Sequence, residues 1–259
     1  MDSSAAETHL IETTLDAGVL TLTLGAAPAH PLSLAMIDAL HSAITHAADN
    51  PEVGAIVIHG PGKIFCAGHD LKEIAHHRDD GDAGRGYLKR LFSRCGEMMQ
   101  ALTHSPKPTI AMVEGIATAG GLQLVAACDL AYAADTATFC LPGINNKGFC
   151  TTPGVAVARN VARKDVMEML LSGDTYDAQW ARETGLVNRV LPQAELHDFV
   201  RSFATKLAAR HGSNVADGKR TLYRQLEMPL DQAYAHATQV MIGHFMDREL
   251  IEHDRERWG

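Results

Sequence analysis

Long apolar runs are missing from this chain of 259 residues, so no segment of it reads as a helix able to cross a bilayer. An excess of positive charge is missing too. The net charge is −8 with the signs interspersed, which argues against a nucleic-acid partner and requires any anionic ligand to be met by local lysines or arginines. The opening stretch "MDSSAAETHLIETTLDAG" is acidic and lacks an apolar h-region or an arginine-rich presequence. The five cysteines (Cys66, Cys95, Cys128, Cys140 and Cys150) form no C-x-x-C pair, the pattern of reduced thiols. A cytoplasmic protein is the expectation from these two features. Nucleotide and hydrolase signatures are absent as well. "GPGKIF" is no P-loop, because the spacing is short and Ile64 stands where Ser or Thr should follow the lysine. No G-x-G-x-x-G follows a strand, and no G-x-S-x-G elbow occurs. The histidines show neither H-x-x-x-H nor H-E-x-x-H spacing, and His76, His77, Asp79 and Asp80 read as a solvated loop, so no metal is expected.

Apolar residues make up 46% of the chain and charged residues 21%, enough to bury one large core with a small appendage. "GVLTLTLG" alternates with period two, and "AIVIHG" is continuously apolar; both read as strands. Leu34, Ile37, Leu40, Ile44 and Ala47 define a helical face, and 87–102 another. Residues 72–86 have no clear period and are expected to be a mobile loop. Asp177 and Gly185 read as cap and stop of a short helix. Strands alternate with helices until about residue 190, which argues for an α/β core with largely parallel pairing over 1–192. Only helical patterns follow, so 193–259 is expected to be a separate helical layer, a lid or an oligomer contact.

Two segments share one form, an apolar strand, a glycine-containing turn and then a helix: "AIVIHGPGKIFCAGHDLKEI" and "TIAMVEGIATAGGLQLVAACDL". The first N–H groups of a helix lack intrahelical partners and sit at its positive end. A glycine there lets a ligand oxygen approach closely. Two such turns side by side could aim two N–H donors at one carbonyl oxygen, an oxyanion hole. The same glycines would serve equally for tight turns and close packing.

The stretches "FCAGHDLKEI", "PTIAMVEGIATAGGLQLVAACDLAYA" and "LSGDTYDAQWARETGLVNRVLP" resemble the enoyl-CoA hydratase/isomerase (crotonase) superfamily over nearly the whole chain. Within it, "LSLAM", "ATA-x-G-x-QLVA-x-CD" and "TPGVA-x-AR" point to one subgroup. The resemblance implies a crotonase-like spiral of ββα units followed by a helical trimerisation region, assembled as a trimer or a dimer of trimers. It also implies an acyl-CoA thioester as substrate or ligand, with no further cofactor. The thioester carbonyl would lie between the backbone N–H groups of His69 and Gly120. Ala67, His69, Asp70 and Leu71 would contact the CoA, with Lys63 and Lys72 near its phosphates.

Two departures stand out. Where the superfamily's hydratases have glutamates, this chain has Gln123 and Gly143. Hydration needs one group to take a proton from water and another to protonate Cα. Neither an amide nor a glycine can do so, and hydratase activity is therefore expected to be weak or absent. Ala119, in place of the first glycine of the helix start, is expected to be harmless, because the donor is on Gly120. Isomerase or other enolate chemistry on an acyl-CoA, or non-catalytic binding of one, both remain open. His69 and Cys150 are the nearest substitutes for the missing acids.

Overall fold

The computed structural model describes residues 10–258, and in helix Arg248–Trp258 the side chain of Glu249 is excepted. The chain opens with a hairpin of β1 (Ile11–Asp16) and β2 (Val19–Leu24). Its two-residue turn, Ala17–Gly18, has positive φ at both positions, the twist that joins antiparallel strands tightly. Helix α1 (Leu34–Asp49) starts where Ser33 accepts the Met36 N–H at 3.1 Å, and it buries Met36, Ile37, Leu40, Ile44 and Ala47.

From there the chain repeats one manoeuvre. Strands β3 (Ala55–Gly60) and β4 (Ile64–Cys66) lead into α2 (Leu71–His76) and α3 (Arg85–His104). Then β5 (Thr109–Val113) and β6 (Ile116–Thr118) lead into α4 (Gly120–Ala127). Next, β7 (Leu130–Ala134) and β8 (Thr138–Cys140) lead into α5 (Thr151–Val157) and α6 (Arg163–Ser172). The chain finishes its sheets with β9 (Thr175–Asp177), α7 (Ala178–Glu183), β10 (Arg189–Leu191) and α8 (Gln193–Ala208).

Each repeat gives its first strand to a six-stranded sheet, ordered β1-β2-β3-β5-β7-β10, and its second to a four-stranded sheet, ordered β4-β6-β8-β9. Pairing is parallel except at β1–β2 and β8–β9. This is the α/β spiral of ββα units expected from the sequence. Asp129 locks neighbouring repeats together, its Oδ2 accepting both the N–H and the hydroxyl of Thr109 at 2.7 and 2.9 Å. Asp177 caps α7 by accepting the Trp180 N–H at 2.8 Å, and Gly185 follows that helix at φ +84°, as the sequence pattern required.

The main sheet is covered on both faces, which is why β3 reads as a continuous apolar run. One face packs Leu22, Ile56, Ile58, Ala111 and Val113 into the core that holds α1, α3 and α4. The other packs Val57, Ile110, Met112 and Tyr132 against Leu196, Val200 and Ala204 of α8. Helix α8 therefore belongs to the sheet, and the first compact unit runs to Ala209 rather than to 192. The expected loop at 72–86 is partly helical: Asp70 accepts the N–H groups of Lys72 and Glu73 at 2.9 and 3.2 Å and so starts α2.

The second unit, from Arg210, contains α9 (Gly212–Gln225), α10 (Leu230–Phe245) and α11 (Arg248–Trp258). Its large apolar side chains, including Leu226, Leu230, Tyr234, Phe245, Met246 and Trp258, are exposed on the single chain. No described helix is long and apolar enough to cross a membrane.

Candidate functional site at the ends of three parallel strands

In a parallel sheet the segments leaving the carboxyl ends of adjacent strands emerge side by side, and ligand crevices form there. Strands β4 and β6 are paired with Cys66 opposite Ala117, and β6 and β8 with Thr118 opposite Cys140. Residues 67–69, 119–120 and 141–143 therefore leave one edge together. The first two segments touch. Gly68 has φ +83°, and a Cβ there would lie 2.9 Å from the Gly120 nitrogen and 3.1 Å from the Thr118 oxygen. Only glycine fits that contact. Gly121 is confined for the same reason, since its Cβ would stand 2.1 Å from the Cys66 oxygen.

The loop 67–69 is held from outside. Leu32 donates its N–H to the Gly68 oxygen at 2.8 Å, and the Asp70 N–H returns to the Leu32 oxygen at 3.3 Å. That ladder skips the His69 N–H. Among the described residues, neither the His69 nor the Gly120 backbone N–H has a hydrogen-bond partner within the chain. Two free donors thus sit on two abutting turns.

The His69 ring lies against the same turn, with Cε1 3.4 Å from where a Gly120 Cβ would be, and meets Phe92 edge-on with ring centroids 5.0 Å apart. Its Nε2 is buried without a partner, and burial lowers the imidazole pKa to about 4, so the ring is neutral near pH 7. Gln123, one turn into α4, is 5% exposed, and its Oε1 also lacks a partner. A helical side chain leans toward the helix N-terminus, which for Gln123 is the Gly120 turn.

Gly143 lies in the turn Pro142–Asn146, and its N–H donates to Cys150 Sγ at 3.3 Å. Its φ is not positive, but a Cβ there would stand 2.8 Å from the Cys150 nitrogen and 2.9 Å from its sulfur. Burial raises the Cys150 thiol above its ordinary pKa, which makes it a poor nucleophile at neutral pH. Ala119 leaves the Gly120 N–H free, but its own backbone is strained. It adopts φ +50° and ψ −117°, a conformation that costs an L-residue about 1–2 kcal/mol.

The other expected residues are placed as follows. Ala67 belongs to the loop itself, its N–H bound to the Ala29 oxygen at 2.9 Å. Asp70 is occupied as the α2 cap, Leu71 is 69% exposed at the start of that helix, and Lys63 and Lys72 are exposed. Lys63 precedes β4, its carbonyl accepting the Ile116 N–H at 3.0 Å. The positive φ of Ala119 and the filled space beside Gly143 had no signal in the sequence.

A family model described as enoyl-CoA hydratase/isomerase matches residues 14–258. The chain belongs to the enoyl-CoA hydratase/isomerase family. Among relatives of this family, the mitochondrial enoyl-CoA hydratase domain-containing protein 3 of Homo sapiens is 42% identical over 218 residues, covering 84% of this chain and 70% of the relative. This is the subgroup to which "LSLAM" and "TPGVA-x-AR" point. The crystal structure of the human protein superimposes with a TM-score of 0.89 at 39% identity, covering 94% of this chain and 95% of that one. An enoyl-CoA hydratase/isomerase family protein from Silicibacter pomeroyi gives a TM-score of 0.88 at 58% identity, over 92% of this chain and 99% of that one. The expectation of a cytoplasmic protein is overturned here, because the curated relatives of this subgroup are named as mitochondrial. The cysteine pattern does not by itself choose among compartments.

Proposed function

We propose that this family member binds an acyl-CoA thioester with its carbonyl oxygen between the His69 and Gly120 N–H groups, and that it does not hydrate enoyl-CoA at a hydratase's rate. The observation that supports this most is the pair of unpartnered backbone donors on abutting turns. Such donors stabilise charge developing on a carbonyl oxygen, and removing one from an oxyanion hole lowers rates by about 10²–10³. Lys72, exposed at the start of α2, and Lys63, exposed ahead of β4, are the cations this reading assigns to the CoA phosphates of an otherwise acidic chain.

Loss of hydratase activity follows from the chemistry of Gln123 and Gly143. A general acid or base contributes about 10²–10⁴-fold, and neither position has one. Cys150 is held as a neutral thiol. The His69 imidazole is a weak base, because its conjugate acid is disfavoured by burial. Decarboxylation, in which the departing CO2 leaves an enolate for the two N–H groups to hold and no base is needed to form it, suits this site better than addition of water; isomerisation and thioester hydrolysis would use the same two donors but each requires a proton to be moved as well. A second reading, an acyl-CoA binder without turnover, is favoured by the same absence of a proton-transfer pair.

The exposed apolar side chains of α9–α11 support self-association into a trimer or a dimer of trimers. A monomer rarely leaves so many large apolar groups uncovered.

The decisive experiment is a panel of CoA thioesters in which binding is measured by calorimetry and turnover by chromatography. Micromolar binding, weakened by Lys63→Glu or Lys72→Glu and by added salt, supports the proposed site. Turnover of any thioester selects the enzyme, and binding without turnover selects the binder. Absence of binding up to millimolar ligand overturns both readings.

A further inference from the structure

On the face of the main sheet that α8 covers, three side chains from distant parts of the sequence meet. His59 projects from β3 on the same side as Val57, Glu114 follows β5, and His197 stands near the start of α8. The His59 Nε2 lies 3.4 Å from Glu114 Oε1, and the His197 Nε2 contacts that same oxygen. All three donor atoms fall within 4.8 Å of one another. The other carboxylate oxygen, Oε2, accepts the Gly62 N–H at 3.1 Å, which turns Oε1 toward both rings.

His59 is 8% exposed, and its Nε2 makes no hydrogen bond, not even with the oxygen 3.4 Å away. Buried polar atoms without a partner are uncommon, and each calls for an explanation. A proton held between Glu114 and His197 leaves His59 unserved. One cation at the centre of the three atoms serves all of them.

Two imidazole nitrogens and a carboxylate oxygen form the donor set preferred by Zn²⁺ and its first-row neighbours. Bonds of about 2.0–2.1 Å arranged tetrahedrally put neighbouring donors about 3.3–3.4 Å apart, which the His59–Glu114 pair already satisfies. His197 has a half-exposed side chain and is free to rotate out to the same spacing. Beside the cluster lies a cavity of about 250 Å³ whose lining includes His59, His197, Asp16, Thr21 and Arg201.

We propose that His59, Glu114 and His197 form a site for a divalent cation of the Zn²⁺ class, with a fourth coordination position open to this cavity. The site lies apart from the loops at Gly68 and Gly120 and does not depend on the acyl-CoA reading. Among the described residues, no other group of three His, Cys, Asp or Glu donors comes this close together. The five cysteines are buried. His77 is engaged with Asp80 at 2.8 Å.

The test is titration of zinc chloride into the full chain after treatment with a chelator, followed by calorimetry and by thermal unfolding. One equivalent should bind with micromolar or tighter affinity and raise the unfolding temperature. His197→Ala changes a half-exposed side chain and should fold normally. It should weaken binding by more than the roughly 10–100-fold lost with outer-shell partners, as should Glu114→Gln, while His253→Ala should change nothing. Co²⁺ in place of Zn²⁺ should give the intense visible bands of tetrahedral coordination, lost in His197→Ala. No heat of binding up to millimolar zinc would overturn the proposal. So would equal affinity and stoichiometry in His197→Ala and the unaltered chain.

Discussion

Gly68 and Gly62 offer a matched pair of substitutions. Both have strongly positive φ, +83° and +89°, so alanine at either meets the left-handed penalty of about 1–2 kcal/mol. They differ in their surroundings. A Cβ on Gly62 would have nothing within 4 Å, whereas one on Gly68 would press on the Gly120 nitrogen at 2.9 Å, the Ala119 Cβ at 3.0 Å and the Thr118 oxygen at 3.1 Å. Replacing a glycine also removes freedom from the unfolded chain, worth about 0.4–1 kcal/mol, and that gain cancels between the two variants. What remains is the cost of forcing a methyl group between two packed loops, about 1–3 kcal/mol. Gly68→Ala is therefore expected to be less stable than Gly62→Ala by that amount, read from urea unfolding followed by circular dichroism. The same methyl displaces the Gly120 N–H, so Gly68→Ala should also bind an acyl-CoA about tenfold more weakly, the worth of one hydrogen bond of roughly 1.4 kcal/mol. Gly62→Ala should bind as the unaltered chain does. Equal stabilities in the two variants would refute the contact between the loops, and equal affinities would refute the placement of the donor.

Four further outcomes are expected. Gly143→Glu should destabilise the chain by about 1–3 kcal/mol through collision with Cys150, and combined with Gln123→Glu it should fail to create crotonyl-CoA hydratase activity; a spectrophotometric assay showing efficient hydration would contradict this. His69 is neutral in the folded chain down to about pH 4 but takes up a proton near 6.5 when unfolded, so its contribution is complete above pH 6.5 and declines as the pH falls toward 4, by up to about 3 kcal/mol. Urea midpoints measured across that range should show a slope that His69→Gln flattens. Ala119→Gly should relieve the positive-φ strain and, after the entropic cost of glycine, stabilise by up to about 1 kcal/mol, measured as a higher unfolding temperature. Light scattering should report an assembly larger than a monomer, and Phe245→Glu, which places a charge on the exposed apolar surface of α10, should shift it toward the monomer.

The long elements were readable because their burial leaves a period: α1 through Ile37, Leu40 and Ile44, and β3 through its unbroken apolar run. Strands β4, β6, β8 and β9 have three residues each, too few for any period, yet they bring residues 67–69, 119–120 and 141–143 to one edge. The likeness of the two glycine turns revealed their shared form without their contact. Helix α8 was placed with the helices after it because an amphipathic pattern does not say which surface it will cover. The strain at Ala119 and the crowding beside Gly143 were illegible because a backbone angle and the space beside a Cβ are set by neighbours remote in sequence. His59, Glu114 and His197 are on three different elements, so no spacing rule could assemble them.

The five buried cysteines give this chain its own set of clocks. A thiol reacts as its thiolate, and burial pushes Cys66 and Cys95 up to about 12 and raises Cys150 as well, so alkylating reagents reach them only when the structure opens. Each lies somewhere distinct: Cys66 beneath Gly121, Cys150 against Gly143, Cys95 within α3, Cys128 at the end of α4 and Cys140 in β8. Pulse alkylation followed by peptide mass spectrometry would rank their opening free energies without any introduced label. A thioester seated at the Gly120 turn would slow the Cys66 clock, while one that bound elsewhere would leave it running at the same rate.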